Sequence, residues 1–147
     1  MMRHAALFSF FAMALLGSTV PATAREAVSA AEVNGTFTDR FGSTFEILAL
    51  GGNRLQVRFS GLYPYKTPSG EATANLGEAT GIADIQADTA VFKPEGFEKS
   101  CTITLHFTKP GQLKASQEGD SSDCGFGMHV RADGSYRKTS SRKPQRF

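Results

Sequence analysis

The chain has 147 residues, with 16 Lys and Arg against 14 Asp and Glu, and 2 cysteines. This length supports one domain of ordinary size, and the near-neutral charge balance favours neither a nucleic-acid partner nor a strongly charged substrate. The sequence contains neither a nucleotide-binding glycine pattern nor the ligand spacing of a zinc site. We therefore expect no cofactor, no metal and no nucleic acid.

The first 24 residues have the pattern of a signal peptide. Arg3 and His4 form a short positive start, an apolar run extends from Ala5 to Leu16, and Ala22-Thr23-Ala24 is a small-x-small cleavage pattern. The apolar run has about 12 residues, whereas a membrane span needs about 20. We predict cleavage after Ala24, no membrane span, and a periplasmic or secreted protein; a membrane anchor is the less favoured alternative.

The rest of the chain alternates between apolar and polar residues in short runs. Residues 25–34 are either a frayed lead-in or a short helical turn. Strand candidates follow at 35–40, 43–50, 54–59, 89–92, 100–108, 113–118 and 128–131. Between them, Gly77 and Gly81 would each cost a helix nearly 1 kcal/mol, so residues 75–85 are predicted as a bent strand with close backbone approach. About eight short strands with regular turns predict an all-β fold, an antiparallel meander closed into a small barrel or sandwich.

Three hairpins are predicted from one parity rule. Side chains that share a face must lie opposite each other across a loop of odd length. The loop 51–53 places Phe45 and Phe59 on one face, and the loop 109–111 does the same for Phe107 and Leu113. The loop 132–134 would pair Val130 with Tyr136. A glycine or asparagine ends each loop, where a left-handed residue is favoured.

Cys101 and Cys124 are the only cysteines. In an exported chain a lone pair is more often a disulfide than a metal or redox site, and we predict that the two are bonded. Residues 25–138 then form one β domain. The segment 139–147 offers no large apolar side chain before Phe147 and is predicted to be a disordered basic tail, which either solubilises the chain or touches an anionic surface.

No catalytic group is favoured by the sequence. His106, His129 and Asp84 could form a metal site if the strands brought them together, but solvated histidines are the better interpretation. Glu118, Asp120 and Asp123 lack the spacing of a calcium loop. No nucleophile elbow is present. We therefore expect that the protein is not an enzyme.

The most informative loop is predicted at residues 60–70. Tyrosines beside prolines give a large, rigid contact area, and a lysine adds a cation that could enter an acidic cleft. The candidate partner-binding residues are Ser60, Tyr63, Tyr65, Lys66 and Ser69. The alternative is an ordinary connection whose tyrosines close one end of the barrel.

A resemblance supports the first of these interpretations. The pattern Cys101-x-Ile103-x-Leu105-x-Phe107, followed by Cys124-Gly125-Phe126-Gly127 and Tyr136, resembles small exported bacterial β-barrel domains of the periplasmic lysozyme-inhibitor type. The resemblance implies a barrel that inserts a Ser-Gly loop, with Tyr and Lys nearby, into a lysozyme cleft. Ser60-Gly61 and Ser69-Gly70 are the two candidates for this loop.

The sequence thus predicts an exported module that binds a protein partner, most concretely a lysozyme-type glycosidase. The alternative is a β-barrel of the cell envelope that binds a small ligand. Such a barrel needs an interior larger than its own side chains can fill.

Overall fold

The structure is a computed structural model, and residues 27–147 are described here. The predicted signal peptide, residues 1–24, lies outside the described residues. One short helix and eight strands follow in order: α1 Ala30–Val33, β1 Gly35–Thr38, β2 Thr44–Gly51, β3 Arg54–Lys66, β4 Ala72–Gln86, β5 Thr89–Phe92, β6 Thr102–Lys109, β7 Gln112–Glu118 and β8 Gly134–Ser140. The lead-in is a helical turn, in which Ser29 and Glu32 form a reciprocal capping box.

The eight strands form one closed antiparallel barrel, in which each strand pairs with its neighbours in sequence and β1 pairs with β8. The predicted all-β meander is confirmed, and of the two architectures left open the barrel is the one formed. Because the meander runs up and down, its seven connections divide into four at one end and three at the other. We call the end at which β3 joins β4 the hairpin end.

Large side chains fill the barrel interior. Phe45 contacts Phe59 and Tyr136, with ring centroids 4.9 Å apart in both pairs, and Phe59 lies 5.2 Å from Phe126. Phe37, Phe45 and Phe59 have no exposed surface. A small ligand inside the described barrel would have to displace these side chains, because their close packing leaves little spare volume.

Two of the three predicted hairpins are confirmed in their facing. Phe45 pairs with Phe59, and Phe107 pairs with Leu113. At the turns themselves, Gly51 pairs with Arg54 and Lys109 pairs with Gln112. A register shift of one residue beside each turn then restores the predicted facing along the rest of the strands. Asn53 has φ 58° and Gly111 has φ 74°, the left-handed conformation that was expected at these positions.

The third predicted hairpin is wrong. Residues 128–131 are not a strand, and β8 begins at Gly134 and pairs with β7, so that Tyr136 lies opposite Leu113. Since β7 already has β6 and β8 as partners, no strand edge is left for residues 128–131 to join. Residues 119–133 instead form a long connection, here called the plug loop, which places Phe126, Val130 and Ala132 in the core.

The disulfide between Cys101 and Cys124 is confirmed, with an S–S distance of 2.04 Å. It joins the residue before β6 to a short 3-10 turn, Ser122–Cys124, in the plug loop. Nearby, the Ser100 hydroxyl donates a hydrogen bond of 2.7 Å to the Asp123 carbonyl. The covalent bond therefore fixes the plug loop at the hairpin end. A disulfide of this kind fits a protein outside the cytoplasm.

The expected close approach at the β4 glycines is also confirmed. A Cβ added at Gly77 would lie 2.8 Å from Val130 Cγ1, and one at Gly81 would lie 2.7 Å from the Lys93 carbonyl oxygen. Gly77 pairs across the sheet with Gly61, where a Cβ would lie 2.6 Å from Val130 Cγ1. This pair of glycines makes the space that the plug loop occupies.

Tyr136 ties the other end of the plug loop to the barrel. Its side chain is buried, and its hydroxyl donates a hydrogen bond of 2.9 Å to the Ala132 carbonyl. Burial, together with the nearby Asp39 and Asp133, raises the pKa of Tyr136 far above its ordinary value of 10.0. The phenol therefore stays neutral, and stays a donor, at any ordinary pH.

The carboxy-terminal boundary differs from the sequence-based one. Strand β8 continues to Ser140. The next seven residues, 141–147, have no regular secondary structure but lie against the outside of the barrel. There the centroid of the Phe147 ring is 4.0 Å from the Arg58 guanidinium carbon. We call residues 141–147 the strap.

In the described part of the chain, the only α-helix is far too short to span a bilayer.

Candidate functional site

The candidate site is a hairpin that extends beyond the barrel wall. Strand β2 pairs with β3 only as far as Ser60, and β5 pairs with β4 only from Ala83, whereas β3 and β4 continue to pair up to Lys66 and Ala72. Residues 62–76, which we call the aromatic hairpin, therefore form a ribbon with few neighbours. Gly61 and Gly77 mark the last buried pair below it.

The loop predicted at residues 60–70 is mostly strand, because β3 runs to Lys66 and only residues 67–71 form the turn. Pro64 is tolerated there for a geometric reason. Pro64 pairs with Ala74. Two residues further along β4, the Leu76 carbonyl points away from β3 and accepts a hydrogen bond of 2.9 Å from the Gly127 N–H. Because every second residue of an antiparallel strand points its backbone groups the same way, Ala74 also points away from β3, and the pair needs no N–H from Pro64.

The five predicted site residues fall in three places. Tyr63 and Tyr65 are 41% and 42% exposed on the ribbon, and Lys66 is exposed at its end. Ser69 lies in the turn, where its hydroxyl is 2.8 Å from the Thr67 hydroxyl. Ser60 is half-buried in the barrel wall opposite Glu78, away from the turn. Of the two Ser-Gly candidates, only Ser69-Gly70 is at the tip.

The tyrosines and the lysine occupy opposite faces of the ribbon. Side chains alternate along a strand, and in β3 the inward positions Phe59 and Gly61 continue to Tyr63 and Tyr65. Lys66 is out of phase with them. The structure thus brings the two tyrosines together and separates them from Lys66, a division that the unfolded sequence does not reveal.

The plug loop supports the tyrosine face of the hairpin. The His129 ring lies 5.1 Å from the Tyr63 ring, centroid to centroid, and the Asn75 amide donates a hydrogen bond of 2.7 Å to the Met128 carbonyl. His129 adopts φ 64°, a left-handed conformation that is uncommon for a residue other than glycine. The base of the ribbon is thereby held to a loop that the disulfide already fixes.

Two exposed apolar side chains at the hairpin end were missed by sequence reasoning. Leu76 is 63% exposed on the outer face of β4, and Met128 is 70% exposed in the plug loop. The signal for Leu76 was present, because it is apolar at a position out of phase with Gly77 and Ala79. Met128 lies in a segment predicted as a strand, so the sequence pattern could not indicate its exposure in the plug loop.

Exposed apolar side chains are concentrated at the hairpin end. Among the described residues, six of the eight large hydrophobic side chains that are exposed belong to the aromatic hairpin or to the neighbouring connections, and two lie on the barrel wall. The six are Phe41, Tyr63, Tyr65, Leu76, Phe97 and Met128; the two on the wall are Ile82 and Val91. Apolar surface clustered in this way is typical of a protein-interaction site.

Beside the hairpin lies an open depression of about 460 Å³, lined by Tyr63, residues 120–122, Met128, His129 and Arg131. Tyr63 and His129 form its aromatic side, and Asp120 and Arg131 supply opposite charges. It combines an aromatic wall with polar groups, a composition suited to receiving a side chain of a partner.

The groups considered for metal binding are not assembled. His106 Nε2 lies 3.1 Å from Asp88 Oδ2 on the barrel wall, whereas His129 contacts Tyr63. The Asp123 carboxylate accepts a hydrogen bond of 2.8 Å from the Asp120 N–H. Within residues 27–147, no group of three or more His, Cys, Asp or Glu side chains is placed to hold a metal ion.

Comparison with known proteins adds no relative: no family model, no curated protein and no solved structure matches this chain. The fold and the site define a small, disulfide-bonded, eight-stranded β-barrel with a projecting aromatic hairpin.

Proposed function

We propose that the protein is an exported binding module, periplasmic or secreted, that inhibits a lysozyme-type glycosidase by inserting the aromatic hairpin into its cleft. The observation that carries the proposal is the concentration of exposed aromatic and apolar side chains at one end of the barrel. Tyrosines held on a rigid ribbon bind with little loss of side-chain entropy.

The two faces of the hairpin suit a cleft with two walls. Tyr63 and Tyr65 would contact one wall, and Lys66 and the Ser69 hydroxyl would reach the other wall and the floor. A glycosidase cleft carries a pair of catalytic carboxylates, and an ammonium group with a hydroxyl can satisfy both through charge-assisted hydrogen bonds. The resemblance to periplasmic lysozyme inhibitors supports the same partner.

The test is a turbidity assay of bacterial lysis with residues 25–147 as inhibitor. We expect lysis to slow at equimolar protein. Buried aromatic anchors at hot spots each contribute about 2 kcal/mol, which is about 30-fold in affinity, so the double variant Tyr63→Ser/Tyr65→Ser should weaken inhibition by about 900-fold. The matched control is Ile82→Ser/Val91→Ser, which removes two exposed apolar side chains from the barrel wall. Full lysis by several lysozyme types at a several-fold excess of the protein would refute the proposal.

A further inference from the structure

The strap forms a groove with the barrel wall. At its start the Arg142 N–H donates a hydrogen bond of 3.1 Å to the Ser140 hydroxyl, and at its far end the Phe147 backbone hydrogen-bonds with the Gln56 side chain. The Phe147 ring covers the Arg58 guanidinium. The strap is therefore held at both ends, and a depression of about 590 Å³ lies between it and strands β1, β2 and β3.

This groove is strongly cationic. Four of its lining residues are basic and one is acidic: Arg58, Arg142, Lys143 and Arg146 against Glu46. Arg58 and Glu46 form an ion pair at 3.2 Å, so no acidic side chain of the lining remains to pair with Arg142, Lys143 or Arg146. Cations gathered over a low-dielectric protein wall raise the local potential for anions.

The charge at the hairpin end has the opposite sign. The aromatic hairpin and the three other connections at that end contain seven acidic and five basic residues. The acids are Asp39, Glu71, Glu95, Glu98, Asp120, Asp123 and Asp133; the bases are Arg40, Lys66, Lys93, Lys99 and Arg131. An anionic surface would therefore attract the strap side and repel the hairpin end.

The composition of the groove selects the kind of anion. Guanidinium groups match the geometry of phosphate oxygens through paired hydrogen bonds. The strap cations are exposed, and none of the exposed large hydrophobic side chains of the described chain lines the groove. This favours attachment to charged headgroups at a surface over insertion of apolar side chains into lipid.

We propose that the strap groove is a docking site for phosphate headgroups of an anionic lipid bilayer. Docking is peripheral, reversible and weakened by salt, because it depends on exposed charges. No residue of the aromatic hairpin lines the groove, so docking leaves the hairpin accessible to a partner. The site does not depend on which partner the hairpin binds.

The experiment measures co-sedimentation of residues 25–147 with vesicles of phosphatidylglycerol and phosphatidylcholine, compared with vesicles of phosphatidylcholine alone. We expect binding to the anionic vesicles only, lost at 0.5 M salt. Each cation near an anionic membrane contributes about a fivefold change in affinity. Arg142→Gln/Lys143→Gln should therefore weaken binding about 30-fold, and Arg58→Gln should weaken it several-fold.

The matched control is Lys93→Gln/Lys99→Gln, which removes two charges at the hairpin end and should bind as the unaltered protein does. Equal loss in the control would mean that net charge, and not the groove, is responsible, and would overturn the proposal. So would equal binding to phosphatidylcholine, or no vesicle binding. Binding of soluble inorganic polyphosphate without vesicle binding would also overturn it, since the ligand would then be a polymer and not a bilayer.

Discussion

Gly77→Ala tests whether the plug loop is seated on the glycine pair of β3 and β4. The added methyl would lie 2.8 Å from Val130 Cγ1 and 2.9 Å from Phe126 Cβ and Cγ. Ordinary carbon contacts lie near 3.5–4.0 Å, so the neighbours must move by about 0.6–1.2 Å. Val130 can rotate, but the Phe126 Cβ moves only with its backbone. The plug loop itself must therefore shift.

The cost follows from two opposing effects. Overpacking of this size destabilises by about 1–3 kcal/mol, whereas replacing a glycine in an extended conformation recovers about 0.5–1 kcal/mol of backbone entropy. We expect a net loss of about 1–2 kcal/mol in the free energy of unfolding. For a domain of this size that lowers the melting temperature by about 4–8 °C.

The assay is thermal unfolding followed by circular dichroism, with limited trypsin digestion at Arg131 as a local probe of the plug loop. Glu78→Ala, at the neighbouring exposed position, is the control and should change stability by less than about 0.5 kcal/mol. The double variant Gly77→Ala/Val130→Ala should lose less than the sum of its single variants, because the two side chains compete for one space. An unchanged melting temperature in Gly77→Ala would refute the seating of the plug loop.

Two further predictions concern the anchors of the plug loop. The double variant Cys101→Ser/Cys124→Ser removes a disulfide that spans a sequence separation of 23 residues. The loop-entropy relation predicts a loss of about 3.4 kcal/mol in the free energy of unfolding. Denaturant titration measures this loss, and a value below about 1 kcal/mol would contradict the prediction. The raised pKa of Tyr136 means that above pH ~10 the unfolded chain loses this proton before the folded one, so stability should fall by up to about 1.4 kcal/mol per pH unit. Tyr136→Phe should remove that part of the slope while costing about 1–2 kcal/mol at neutral pH through the lost hydrogen bond to Ala132; an unaltered slope between pH 10 and 11.5 in urea titrations would contradict the assignment.

The amino-acid sequence determined the local architecture because alternation is a local property. Phe45 and Phe59, and likewise Phe107 and Leu113, face each other as parity required. The pairing of two cysteines in a chain that has no others was equally predictable. The glycines of β4 signalled a close approach, although not what approaches them.

The same alternation at residues 128–131 predicted a strand that does not form. Whether an alternating segment becomes a strand depends on a free edge next to it, and closure of the barrel through β1 and β8 left none. The excess residues folded inward over Gly61 and Gly77. The local pattern of apolar and polar residues cannot predict this outcome, because the available strand edges depend on pairing between residues that are distant in sequence.

The candidate site was divided in the same way. The sequence supplied Tyr63, Tyr65 and Lys66, since unusual composition marks a segment wherever it lies. Only the tertiary structure decided that the segment is a ribbon with the tyrosines on one face, that Ser60 is below it in the wall, and that the strap lies against Arg58. Pairing between β3 and β4 beyond the barrel determines the tyrosine face of the ribbon and the place of Ser60. Contacts between residues more than eighty positions apart in the chain determine the place of the strap.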